Sequence, residues 1–308
     1  MGIKGFNQNN PKFRNFFTRA PGGDSTGIDA ASEFRAPYEA SGGSTYTPGN
    51  GYKYHVFTSN DDFISSGPSP SSLEVLLVGG GGGGGDGGGG NGGGGGAGGV
   101  RYYPGFPITP GTYPVVIGQG GNGAPSYNSD GTAGGDTTAF GKTATGGGHS
   151  NYNYDTVKNG GSGAGTSYGV DAGSGNAGGN DPDANPISEG NAGSTGGGGG
   201  AGAGAQPGNG GNGLQFPQFA GPLIGQPGLN PYNGYFGGGG GSGYESSNST
   251  PGGLGGGGHG ASRYSGNGDV ATAGVDMLGG GGGGTSTSST TPALPGGDGI
   301  CIVRYQTS

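Results

Sequence analysis

Residues 79–99 contain 18 glycines, broken only by Asp86, Asn91 and Ala97. Such a stretch has no side chains to bury, so any structure it adopts is built from backbone alone. Shorter tracts recur at 146–148, 160–165, 196–204, 237–241, 252–260 and 279–284. Across the 308 residues there are 92 glycines and 21 prolines, only 27% of residues are apolar, and Trp is absent. A conventional core for a chain of this length cannot be assembled from that supply. Ordering each residue costs about 1–2 kcal/mol of backbone entropy, and glycine loses the most freedom of all. The chain is therefore either disordered or a dense lattice of hydrogen-bonded backbone.

The lattice has a definite geometry. Glycine adopts a threefold extended helix of the polyproline II type, rising about 3.1 Å per residue with no internal hydrogen bonds. Every N–H and C=O must then find a partner on a neighbouring rod, and without Cβ atoms rods can approach on all sides, aided by Cα–H···O contacts. A 7-residue tract would be about 22 Å long. The strict Gly-X-Y period of collagen is absent. Polar loops at 149–159, 180–191, 214–236 and 285–295 separate the tracts.

Strand-like runs frame the glycines. The segments 51–59, 72–80, 113–118, 137–141 and 299–306 are rich in β-branched and aromatic residues. SLEVLLVGG, with its continuous apolar run, reads as a buried strand, whereas GICIVRYQ alternates. The expected fold is all-β and irregular: a small antiparallel β framework plus a bundle of polyglycine-II helices, with essentially no α-helix. Two parts are expected, an N-terminal docking arm over 1–45 and a glycine-rich domain over 46–308.

Charge marks the first stretch of the arm. Residues 1–20 carry Lys4, Lys12, Arg14 and Arg19 and no acid, while the rest holds 7 basic and 19 acidic residues. A basic head on an acidic body suggests a docking arm. Its candidate anchors are Phe13, Phe16 and Phe17 among Lys12, Arg14 and Arg19. The acidic body excludes a nucleic-acid partner, since nothing in it could neutralise a run of phosphates. Cys301 is alone, so no intramolecular disulfide forms. The opening MGIKGFNQNN lacks the apolar region of a secretory signal, which implies synthesis in a cytosol and exit by lysis or in an assembly.

The order HVFTS, LEVLLVGGGGGGG, YPVVIGQGGNG, GGDTTAFGKTATGGG, GGGGGAGAG and GGDGICIVRY resembles the glycine-rich domain of tailed-phage tail and tail-fibre proteins, over roughly residues 50–305. The resemblance implies a polyglycine-II sandwich with surface loops and a place on the virion surface. It implies other virion proteins as partners of residues 1–45, and a bacterial surface glycan or outer-membrane protein as partner of the loops. Self-association into a homo-oligomer stays open. The alternative is a capsid or tail decoration protein held by its N-terminal arm.

Individual residues refine the expectation. Tyr152, Tyr154, Tyr232, Tyr235 and Tyr244 sit in Asn/Ser/Gly-rich loops, the mixture used by adaptable binding surfaces, and are the candidate host contacts. The competing role is a cap on the glycine bundle. Gly141-Lys142-Thr143 evokes a phosphate loop, but Asp136 stands where the first glycine is needed. Asp181, Asp183 and Asn185 have D-x-D-x-N spacing, yet Pro186 occupies the glycine position of a calcium loop. No metal or cofactor is expected. Asp61 and Asp62 read as turn residues. The histidines His55, His149 and His259 form no nucleophile–base pattern, so the expected role is not enzymatic.

Overall fold

A computed structural model describes residues 38–67, 70, 73–87, 90–126, 129–150, 159–166, 181, 183–185, 189–243, 250–261, 270–286 and 292–307. The chain divides after Ala36, and the second unit, Pro37–Ser308, is the one treated below.

Among the described residues twelve strands form: β1 (Glu39–Ser41), β2 (Ser44–Tyr46), β3 (Tyr52–Phe57), β4 (Asp61–Ser66), β5 (Leu73–Val78), β6 (Val100–Tyr103), β7 (Gly111–Val116), β8 (Thr137–Ala139), β9 (Lys142–Ala144), β10 (Leu214–Gln215), β11 (Tyr235–Phe236) and β12 (Ile300–Gln306). An inner sheet has the order β2-β3-β12-β5-β6, an outer sheet β1-β4-β7-β8-β9, and β10 pairs with β11. The pairings between named strands are antiparallel. At two places the strands differ from the sequence reading. Residues 39–41 and 44–46, which lie within and across the end of the expected arm, are strands of the two sheets. Asp61 and Asp62, expected in a turn, open β4, because Phe63 of the same strand is fully buried and fixes its register.

The inner sheet is buried on both faces, which explains the unbroken apolar run of β5. Leu73, Val75 and Leu77 join Cys301, Val303 and Tyr305 against Phe63, Val115 and Ile117 of the outer layer. Leu76 and Val78 join Ile300 and Ile302 on the other face, against Phe216, Phe219, Ile224, Leu229 and Phe236. That second cover comes from 214–236, read from sequence as a loop. It holds three 3-10 helices, Pro217–Phe219, Gly221–Ile224 and Pro227–Tyr232, each with proline in its first two positions. One apolar anchor per helix, Phe219, Ile224 and Leu229, fixes this lid to the sheet. Gly225 ends the second helix at φ +70, and a Cβ there would overlap the Tyr46 ring. Among the described residues there is no α-helix.

Several glycine tracts leave the sheets as direct prolongations of strands, 79–85 from β5 and 92–99 into β6 among them. The rod 79–85 shows the rule. Gly79, Gly82 and Gly85 donate to Gly99, Gly96 and Gly93; Gly80 and Gly83 donate to Gly135 and Thr132; Gly81 and Gly84 donate to Gly297 and Leu294, all at 2.9–3.1 Å. Its carbonyls are used with the same period: Gly80 and Gly83 accept from Gly147 and Ser150, Gly81 and Gly84 from Gly121 and Ala124, Gly82 and Gly85 from Gly282 and Thr285. One rod thus bonds six neighbours, antiparallel ones through its N–H groups and parallel ones through its carbonyls. This threefold repeat, with none of these glycines at positive φ, is polyglycine II.

The tract 79–99 is two rods, because the chain turns back at 86–91 and 92–99 returns beside 79–85. Segments not recognised as tracts also join the bundle, among them 118–124, 131–135, 208–213 and 293–297. In two of them the signal was a polar residue every third position: Gln119 and Asn122, and Asn209 and Asn212, are exposed while the glycines between them face other rods.

Candidate functional site

Strands point one way and rods the other, so the unit has a sheet pole and a loop pole. At the sheet pole, Arg304 of β12 binds Glu74 of β5 through two hydrogen bonds of 2.7 and 2.9 Å. The guanidinium lies 4.3 Å from the Tyr52 ring centroid and 5.2 Å from that of Phe219. Tyr102 donates a short hydrogen bond to the same carboxylate, and burial followed by that carboxylate pushes its hydroxyl up to about 12. Tyr54 donates to the Gln218 carbonyl at 3.3 Å, so this network also fastens the lid. It was visible in sequence as one charge in each of two apolar strands, Glu74 in LEVLLV and Arg304 in ICIVRYQ. Its chemistry is that of a lock: the charges are paired and largely shielded.

A second cluster holds the D-x-D-x-N residues. Lys142 of β9 places its ammonium 2.8 Å from Asp181 and 3.4 Å from Asp183, and Tyr103 donates to Asp181 at 3.0 Å. Burial pushes the Asp181 carboxyl upward, but Lys142, the Asp183 N–H and Tyr103 together bring it below its usual range. The position a cation would neutralise is thus served by an ammonium. Asn185 donates its N–H to the Tyr102 carbonyl of β6, and the buried Arg101 of β6 pairs with the buried Glu189. The described residues between 181 and 189, called the strap below, are therefore tied to edge strands β6 and β9 at Asp181, Asn185 and Glu189. Gly141-Lys142-Thr143 is here part of a hairpin, with Phe140 and Gly141 at φ 57 and 70 in its turn. That turn chemistry, not a phosphate cradle, explains the glycine.

His55 is fully buried between the sheets. Its Nδ1 lies 2.8 Å from the Gly42 carbonyl, and Nε2 faces the Tyr305 hydroxyl at 3.4 Å. Burial lowers its pKa, opposed by the Gly42 carbonyl and assisted by Lys53. The neutral imidazole with Nδ1–H donating fits both contacts. Cys301 is completely buried, which raises its thiol pKa and keeps it inert.

The expected contact tyrosines do not form one group. Tyr232 and Tyr235 belong to the lid and β11 at the sheet pole, where Tyr232 is half-buried against the inner-sheet core. Tyr152, Tyr154 and Tyr244 lie outside the described residues, as do the arm residues Lys12, Phe13, Arg14, Phe16, Phe17 and Arg19. The rod ends flanking several of the loops do meet at the loop pole. Bridges join Gly92 to Gly243, Thr250 to Gly260, Asp86 to Thr285 and Ala261 to Thr285, so 244–249 starts and finishes, and 262–269 and the segment after Ser286 start, in the layer of Asp86 and Gly92. Ser150, which precedes 151–158, bonds Gly83 and Gly131 in the same layer.

The glycine-rich domain family matches residues 57–306, most of the chain. This chain belongs to that family. No curated protein matches it. The glycine-rich domain match opens at Phe57, the last residue of β3, and closes at Gln306, the last residue of β12. It therefore spans the bundle and lid, and leaves β1, β2 and most of β3 outside the matched residues.

Proposed function

We propose that this chain is a non-enzymatic structural protein of a tailed-phage particle, a surface-exposed fibre or adhesin component. In this reading it contacts a bacterial host through its Tyr/Asn-rich loops, and residues 1–45 dock it to other virion proteins. The observation that carries the reading is polarity. The chain enters the paired region at Tyr38 and reaches the end of β12 at Gln306, and both lie at the sheet pole, where the rings of Tyr38 and Tyr305 meet edge-on at 4.7 Å. Loops 244–249 and 262–269 spring from the opposite pole. One end is thereby suited to attachment and the other to display, with a rigid backbone lattice between them. Tyr with Asn, Ser and Gly supplies rigid contact area and adaptable hydrogen bonding.

The test is binding of the labelled full chain to a panel of bacterial strains. Binding that is lost in the Tyr152→Ala/Tyr154→Ala double variant, and kept in Tyr232→Ala, supports host contact through the loops. Binding unchanged by the loop variant rejects it. Failure to bind any strain, with co-sedimentation on phage particles, selects the decoration role instead.

A further inference from the structure

We infer that β12 is a closing strand: the remainder of the unit forms a slot between β3 and β5 that accepts this strand as a separable peptide, including one supplied by a second copy of the chain. This inference stands apart from the attachment reading and needs neither the loops nor the arm.

The topology carries it. β12 follows every other strand in the chain, yet it occupies the centre of the inner sheet. Cys301–Gln306 pair with Phe57–Tyr52 on one side, and Ile300–Tyr305 pair with Val78–Leu73 on the other. β3 and β5 are not bonded to each other. Without β12 the inner sheet falls into two pairs, β2-β3 and β5-β6, with two rows of unpaired backbone groups facing an empty lane. Such rows are templates for an added strand.

The two flanks of the lane are held by other means. β5 and β6 continue into rods 79–85 and 92–99, which bond each other and further rods independently of β12. β3 is held by β2 and, through Tyr54 and the Gln218 carbonyl, by the lid. The outer sheet contains no part of β12. Specificity for one sequence is also built in. Ile300 and Ile302 fill one core while Cys301, Val303 and Tyr305 fill the other. Arg304 meets Glu74 of β5 and, at 3.4 Å, the Tyr54 hydroxyl of β3, so it reads both walls of the lane. A strand slipped by one residue would exchange the two apolar rows and bring Arg304 into the intersheet core.

Two experiments test it. In the first, the chain ending at Asp298 is titrated with a fluorescein-labelled peptide of residues 299–308. Saturable binding is expected, weakened about a hundredfold in the Arg304→Ala peptide, as for loss of one partner of a shielded ion pair. The scrambled peptide should not bind. In the second, which covers a truncated chain too insoluble to assay, a protease site is placed within 287–291 of the full chain. After cutting, the native complex is incubated with excess labelled 292–308, and exchange of label into the folded protein is expected. A soluble truncated chain that ignores the peptide, or one that melts as the full chain does, overturns the slot. So does a cut complex that takes up no label short of global unfolding.

Discussion

At the scale of single residues, the lattice makes a side chain as small as methyl decisive. A Cβ on Gly95 would sit well under 3.0 Å from the Gly82 carbonyl oxygen, and one on Gly82 would strike the Gly148 carbonyl. Neither obstacle is a side chain that can swing away. Gly95→Ala is expected to cost at least about 3 kcal/mol, at the upper end of overpacking penalties, whereas Gly105→Ala, with nothing near its Cβ, should shift stability by less than about 0.5 kcal/mol. Thermal melts of both variants check this, and equal melting temperatures would contradict the rod packing. His55 adds a pH dependence. Its folded pKa lies below the ordinary 6.5, so as pH falls below that value the unfolded chain binds a proton that the folded chain refuses. Stability is then lost on acidification from pH 6.5 downward and is full above it. Urea titrations at several pH values should show that slope, flattened in His55→Gln.

At the scale of elements, two ion pairs fasten the same strap with unequal force. Arg101 and Glu189 are shielded, with side chains 7% and 0% exposed, while Lys142 and Asp183 are 24% and 75% exposed. Removing one partner of a shielded pair leaves an uncompensated charge, so Glu189→Ala should cost about 3–5 kcal/mol. Asp183→Ala should cost less than about 1 kcal/mol, the range of solvated pairs. Denaturant midpoints distinguish the two. If the costs come out equal, the strap is not held at Glu189 in the way described. The lid follows a comparable logic: three proline-led turns have little stability of their own and exist because Phe219, Ile224 and Leu229 find the inner sheet.

At the scale of the whole unit, strands and rods share one chain path, so the sandwich and the bundle should open together. The amides of Gly81–Gly85 and Gly94–Gly99 are bonded within the lattice, and their hydrogen exchange should match that of β5 and β12 to within about tenfold, as in one cooperative unit. Rod amides exchanging a thousandfold faster would show a bundle that frays independently of the sheets. The same continuity explains the family boundaries. A segment from Phe57 to Gln306 includes nearly all the rods, because each rod's bonds are satisfied only by others far away in sequence.

The glycine tracts alone determined that, once ordered, they would pack through backbone and not side chains, since a residue without Cβ admits no other kind of packing. The apolar runs at 72–80 and 299–306 likewise announced strands, and LEVLLV announced burial on both faces. Tertiary structure decided the rest. Where 79–99 folds back, which period-three segments such as 118–124 and 208–213 join the bundle, and that 214–236 is a lid all depend on partners distant in the chain. A rod with no internal hydrogen bonds carries no local mark of its neighbours, and a short proline-led turn carries none of the sheet it covers. Their positions are fixed only when the long-range bonds close.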